Sequence, residues 1–325
     1  MSGTVGAVSG EAAKKGSISR SGRTRTSAFG AGRREGHDAS AFYARFAPPV
    51  LSDDDEVVSC PAGDTLWARD SRDLSFLPDN CVALVVTSPP YFVGKEYEQS
   101  LGDGHVAGSY VEYLGMLRDV FAECRRVLEP GGRIAVNVAN LGRKPYRSLS
   151  GDVTAILQDD LGFLLRGEIV WVKGKGANGS CAWGSYASAA NPVLRDLTER
   201  IVVASKGRFD RALTRRERAE RGLPSEDTIS PAHFREWTLD TWHFPPESAK
   251  RVGHPAPFPA ELPRRLIELF TYRGDVVLDP FAGAGQVALA CLATGRRYVC
   301  VDVDAAYVEL ARQRIAGAAA HASAS

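Results

Sequence analysis

The sequence predicts an α/β fold, a largely parallel sheet with helices on both faces. Three observations carry that expectation. Short, continuously apolar runs such as Cys81–Val86 have the length and composition of strands buried on both sides. They alternate with segments whose apolar residues recur at helical spacing, the order of βαβ units. Near the end of the sequence a glycine turn, Gly283-Ala284-Gly285, stands between a strand-like run and a helical one.

Residues 1–50 are rich in Ser, Gly, Ala and Arg, lack a periodic apolar pattern, and are read as a disordered tail. An Arg- and Ser-rich, acid-poor start also suits an organelle transit peptide, against which stand Glu11 and the missing amphipathic stripe. Residues 51–325 are read as one domain, with a first half over 57–205, an insertion over 206–250 and a second half over 251–316. "CVALVV" (Cys81–Val86) is a strand bounded by Pro78-Asp79-Asn80 and by two prolines. In "SYVEYLGMLRDVFAECRRVLEPGG", Val111, Leu114, Leu117, Phe121, Cys124 and Leu128 recur at helical spacing, and Pro130-Gly131-Gly132 stops the helix. "RIAVNV", "RGEIVWVK" and "ERIVVASKG" read as strands and "GDVTAILQDDLGF" as a helix. Gly174–Pro192 is a long loop of small residues, and loops of that length are usually functional or mobile.

After Lys206 the character changes. "KGRFDRALTRRERAERG" holds seven basic residues against three acidic ones, which suits a solvated helix face or a phosphate-contacting patch. The polar, aromatic stretch that follows, with Trp237 and Trp242, resembles neither a strand nor a sheet-packing helix. The final stretch, from Glu261 to Ile315, gives helix, strand, glycine turn, helix, strand and helix, the pattern of a nucleotide-binding half.

Composition narrows the function classes. The chain is 44% hydrophobic with a formal net charge of +1, so any nucleic-acid surface has to come from local clustering. Cys60, Cys81, Cys124, Cys181, Cys291 and Cys300 are scattered, which points to reduced thiols in a cytoplasmic protein. The dispersed His37, His105, His233, His243, His254 and His321 offer no metal site, and none is expected. No apolar segment approaches the roughly 20 residues that span a bilayer.

Two stretches carry chemistry. The strand at Cys81–Val86 ends in Ser88-Pro89-Pro90-Tyr91, where consecutive prolines stiffen the backbone and hold the strand's end in place. At the other end of the chain, Gly283 to Ala288 satisfies the G-x-G-x-x-G/A form of a dinucleotide fingerprint, and Asp302 ends a strand nineteen positions beyond Gly283. On that turn alone a nicotinamide or flavin dehydrogenase competes, because any cofactor with a ribose needs close backbone approach and an acidic strand end. It leaves Thr87–Tyr91 unexplained.

"TSPPY" together with "DPFAGAG", in that order, resembles the amino-methyltransferases of DNA in their permuted, β-class arrangement, and nearly all of 57–315 follows that layout. The resemblance implies a Rossmann-like, S-adenosylmethionine-dependent methyltransferase sheet with a circularly permuted motif order and an inserted target-recognition segment. It implies S-adenosyl-L-methionine as cofactor, held by Asp64 near the adenine end, by His254 and Phe258 on the methionine side, and by Asp279, Phe281, Gly283, Gly285 and the ribose-binding Asp302.

The same resemblance gives Ser88 and the Pro89 carbonyl the role of accepting hydrogen bonds from the two N–H groups of an exocyclic amine, whose lone pair is then freed to attack the sulfonium methyl directly. Pro90 stiffens the turn, and Tyr91 stacks on a base flipped out of the duplex. Serine at position 88 goes in related sequences with cytosine N4 and aspartate with adenine N6, so N4-cytosine is expected, with N6-adenine as the alternative. A second alternative keeps the sheet but takes RNA or a protein amide, and a third is a non-catalytic, cofactor-binding DNA protein. Double-stranded DNA is the expected partner; a cognate restriction endonuclease is a candidate second one, whose existence the sequence leaves open. Arg143, Lys144, Arg147, Lys173 and Lys175 in the loops after strands, and Arg208, Arg215 and Arg216 in the insertion, are the candidate DNA contacts.

Overall fold

Strands that are apolar at every position have to be covered on both faces, and the computed structural model shows how. It describes residues 50–91, 109–140, 146–174, 184–247 and 258–323. Eight strands form one sheet: β1 (Thr65–Ala68), β2 (Val82–Thr87), β3 (Leu128–Val138), β4 (Leu164–Val172), β5 (Thr198–Ser205), β6 (Thr241–His243), β7 (Val276–Asp279) and β8 (Arg297–Asp302). Their order across the sheet is β1-β8-β7-β2-β3-β5-β4-β6. Every neighbouring pair is parallel except those of β5, which runs antiparallel to both β3 and β4.

The helices among the described residues are α1 (Tyr110–Val127), α2 (Leu149–Ala155), α3 (Arg215–Glu220), α4 (Pro231–Trp237), α5 (Glu261–Phe270), α6 (Gln286–Thr294) and α7 (Ala305–Ser323). A π-helical turn over Ile156–Asp160 continues α2. Because side chains alternate along a strand, the sheet supplies two apolar layers. Val82, Val85, Val202, Leu278, Val299 and Val301 pack with Leu117, Phe121 and Cys124 of α1 on one face. Leu84, Val86, Ile201, Val203, Val277 and Cys300 pack with Leu262 and Leu266 of α5 and Val287 and Cys291 of α6 on the other. Each fully buried side chain of this size contributes about 1.5–3 kcal/mol relative to exposure. Cys60, Cys81, Cys124, Cys291 and Cys300 are free thiols buried in this interior.

The crossovers place the crevice. After β2 the chain passes through α1 to β3 on one side; after β7 it passes through α6 to β8 on the other. Two neighbouring parallel strands whose connections leave in opposite directions open a crevice beyond their carboxyl ends. β2 and β7 are that pair.

Several expectations change. Leu128 enters β3 directly after α1 and Pro130-Gly131-Gly132 lies inside that strand instead of ending the helix. Gly131 has a φ of 77°, and a Cβ there would come within 1.9 Å of the Asp210 carbonyl, so glycine is needed for the close approach of residues 206–212. Val111 is 78% exposed, and Tyr113 takes its expected place in the interior. The insertion is tied into the sheet: β6 pairs with β4, and Trp237 and Trp242 are buried against the second layer. No helix among the described residues is long and apolar enough to cross a membrane.

Candidate active site

Thr87 ends β2 and Asp279 ends β7, and their side chains meet: Thr87 Oγ1 donates to Asp279 Oδ1 at 2.8 Å. The Phe281 amide donates to the same oxygen at 3.1 Å. Oδ2 is buried without a hydrogen-bond partner, and burial pushes the Asp279 carboxyl up to about 7. The turn beyond it needs its glycines. Gly283 and Gly285 have φ of 47° and 76°, and a Cβ on Gly285 would stand 2.9 Å from Ala311 Cβ.

The Gly283 amide donates to Asp302 Oδ2 at 2.7 Å and the Asp304 amide to Oδ1 at 2.9 Å, which fixes the carboxylate at the end of β8. Burial raises its proton affinity. Each oxygen accepts one of these bonds and keeps further acceptor capacity for hydroxyl donors. Gln286, first residue of α6, donates to the Phe258 carbonyl at 2.8 Å, bringing Phe258 to the same turn. Phe281 is half-buried and packs on the first layer.

Across the crevice, Ser88 Oγ lies 3.3 Å from Tyr91 Oη, and Tyr91 Oη donates to Glu199 Oε2 at 3.5 Å. Asn137 Nδ2 donates to the same carboxylate oxygen at 2.6 Å, and Lys173 Nζ to Oε1 at 2.9 Å. Burial, followed by the charge of Glu199, pushes the Tyr91 phenol well above its ordinary range, so it stays protonated. Pro89 is buried and Ser88, Pro90 and Tyr91 are half-buried. Sequence reasoning did not find Glu199 or Asn137.

The other expected site residues divide. Asp64 precedes β1 at the amino end of the sheet. There its amide donates to the Tyr298 carbonyl at 2.6 Å and its carboxylate meets Arg297, while Ala68, at the far end of β1, is the residue that lies beside Asp302. The link that β1 makes to the crevice comes after the strand: the Arg69 amide donates to the Asp302 carbonyl at 2.9 Å and Ser71 Oγ to the Pro280 carbonyl at 2.7 Å. Lys173 joins the crevice through Glu199, and Arg147 is held by Asp152. Arg143, Lys144, Lys175 and His254 lie outside the described residues.

Arg208, Arg215 and Arg216 are not brought to the crevice. β5 ends opposite Arg133 near the start of β3, so the chain beyond it emerges at the amino ends of the parallel strands. There Arg208 donates to the Asp54 carbonyl, Arg215 pairs with Asp227 and Arg216 with Glu220. Their neighbours Arg211 and Arg218 are buried between Glu129 and Asp275. Among the described residues no group of three or more His, Cys, Asp and Glu side chains is arranged to hold a metal ion.

Comparison with known proteins gives consistent findings. The sequence model of the DNA methylase family N6_N4_Mtase matches residues 82–313. The Type II methyltransferase M.Cfr9I of Citrobacter freundii is 28% identical over 78% of this chain and 88% of its own length. M.HpaI of Haemophilus parainfluenzae, also a Type II methyltransferase, is 27% identical over 74% of this chain and 70% of its own. TTHA0409 of Thermus thermophilus, a candidate DNA modification methylase solved with S-adenosyl-L-methionine, superposes with a TM-score of 0.60 at 28% identity, covering 78% of this chain and 93% of its own. PvuII DNA methyltransferase, which is cytosine-N4-specific, shares the fold at 19% identity and a TM-score of 0.59, over 80% of this chain and 90% of its own.

Proposed function

We propose that this chain, which belongs to the DNA methylase family N6_N4_Mtase, methylates the N4 amine of cytosine in duplex DNA with S-adenosyl-L-methionine as methyl donor. The observation that carries the proposal is the meeting of Ser88-Pro89-Pro90-Tyr91 with the Asp279–Gly285 turn at one crevice, through the Thr87–Asp279 hydrogen bond. Similarity to Type II methyltransferases and to a structure solved with this cofactor supports the reaction class. Within that class, the choice of cytosine rests on Ser88, a neutral hydroxyl where an aspartate goes with adenine in related sequences. The permuted, β-class order, with the acceptor segment ahead of the cofactor turn, belongs to the same proposal.

The residues present fit the cofactor. Asp302 has acceptor capacity left for a pair of ribose hydroxyls, and Asp279 Oδ2 is a buried oxygen without a partner beside them. Gly283 and Gly285 let the backbone come close, and Phe258 and Phe281 offer apolar surface at the same turn. When bound, S-adenosylmethionine supplies an electrophilic methyl group on a sulfonium centre.

The chain's own residues prepare the acceptor. An exocyclic amine is a poor nucleophile because its lone pair is delocalised into the ring. Ser88 Oγ and the Pro89 carbonyl accept hydrogen bonds from its two N–H groups and favour a pyramidal nitrogen, which gives up one proton to solvent on gaining the methyl group, and the stiff Pro89-Pro90 turn fixes where the carbonyl points. Tyr91 offers the ring face on which the extruded base stacks. Holding base and donor in attack geometry contributes much of the rate. The DNA faces the connections that follow β3 and β4, where Tyr146 and Leu194 are 56% and 93% exposed.

The test is incubation with methyl-labelled S-adenosylmethionine and mixed-sequence duplex DNA, followed by nucleoside digestion and mass spectrometry. Labelled N4-methyldeoxycytidine is the expected product. N6-methyldeoxyadenosine would overturn the assignment drawn from Ser88 and keep the reaction class. No labelled nucleoside, with the cofactor shown to bind, would overturn the DNA substrate.

A further inference from the structure

β5 is the only strand among those described that runs against the sheet, so its first residues lie where its neighbours end, at the crevice. Glu199 stands there with its side chain 13% exposed, and three site groups converge on it. Tyr91 Oη donates to Oε2 at 3.5 Å, Asn137 Nδ2 to Oε2 at 2.6 Å and Lys173 Nζ to Oε1 at 2.9 Å. Asn137 is itself 1% exposed, and its amide orientation follows from chemistry, because a carboxylate can only accept. Such an anchored carboxylate behind a proposed catalytic loop needs an account that packing alone does not give.

We propose that Glu199 is a positioning residue that sets the direction of the Ser88–Tyr91 hydrogen bond, so that Ser88 meets the target amine as an acceptor. The proposal rests on the reading that Ser88 contacts that amine. A hydroxyl has one proton and two lone pairs, and the bond between Ser88 Oγ and Tyr91 Oη at 3.3 Å is compatible with either atom as donor. Glu199 breaks that symmetry. As an acceptor it takes the hydrogen bond that Tyr91 Oη donates, which leaves the phenol oxygen to accept one from Ser88 Oγ. Both lone pairs of Ser88 are then released toward the base. The Asn137 and Lys173 bonds hold the carboxylate in place, and Lys173 balances its charge in the half-buried setting. No proton is transferred along the chain. Only the direction of the donors is set.

Glu199→Gln has nearly the same shape but carries an amide that can donate to Tyr91 and reverse the chain. Single-turnover methyl transfer at saturating cofactor, with cofactor affinity measured by calorimetry, is compared for Glu199→Gln, Ser88→Ala and the double variant. Glu199→Gln slows transfer roughly 10- to 100-fold, the worth of one charge-assisted hydrogen bond, and leaves cofactor affinity unchanged. In the Ser88→Ala background it adds little, because the oriented acceptor is gone. Tyr91→Phe, which removes only the linking hydroxyl, is a second probe, and Glu199→Gln adds little there too. A wild-type rate for Glu199→Gln with a slow Ser88→Ala overturns the positioning role alone, as do losses that multiply independently or a loss matched by weaker cofactor binding. A wild-type rate for Ser88→Ala overturns the amine contact on which the proposal rests.

Discussion

Asp279 gives one carboxylate oxygen to Thr87 and the Phe281 amide and leaves the other buried without a partner. Burial favours the neutral acid, and the folded protein holds this proton with a pKa of about 7 against an ordinary 3.8. Because the folded value is the higher one, the stability associated with this proton is fully present below about 3.8. It drains away as pH rises through about 7. Asp279→Asn, which cannot ionise, therefore gains on the wild type as pH rises, by on the order of 4 kcal/mol at most. Denaturant midpoints of the cofactor-free proteins at pH 5 and pH 8 check this, and a gap that does not change with pH would contradict it. At this scale the sequence was uneven. Ser88 and Asp302 were singled out by a double proline after an apolar run and by an acidic strand end, and the fold sets both at the carboxyl ends of parallel strands. Glu199 was not, because one charged residue opening the strand "ERIVVASKG" looks like any solvated strand end until the topology turns that end toward the crevice. Asp64 was placed by motif likeness, and only the register of β1 with β8 shows that it begins a strand at the opposite end.

Elements were legible where burial on both faces forces a continuous apolar run, as in β2, whose six positions are all buried. They were obscure where pairing outweighs composition. β6 has only three residues, Thr241–His243, and is a strand because β4 offers it an edge. The basic run after Lys206 was ambiguous for a related reason, since an exposed patch and a buried ion-pair cluster can have the same composition. Here Arg211 and Arg218 bridge Glu129 at the start of β3 and Asp275 just before β7, clamping the insertion to the amino end of the sheet. Arg218→Ala leaves buried carboxylate charge undercompensated and should cost about 3–5 kcal/mol. Arg216→Ala removes only an exposed pair and should cost well under about 1 kcal/mol. Equal effects of the two on the unfolding midpoint would show that the cluster does not clamp the element.

Over the whole molecule, two chain segments nearly two hundred residues apart meet at one crevice, because Thr87 and Asp279 end neighbouring strands at the point where the crossovers diverge. The order of those segments and the doubly covered sheet were legible in the sequence; the antiparallel β5 that completes the crevice with Glu199 was not, since strand direction leaves no trace in composition. The central claim is a division of labour across this crevice, in which the β2 side activates the amine and the β7–β8 side holds the cofactor. The direct measurement is cofactor affinity and single-turnover methyl transfer on the same preparations of Ser88→Ala and Asp302→Ala. The account predicts that Ser88→Ala keeps its affinity and loses roughly 100-fold or more in transfer, whereas Asp302→Ala first loses affinity. Full transfer by Ser88→Ala, or unchanged affinity in Asp302→Ala, would contradict it.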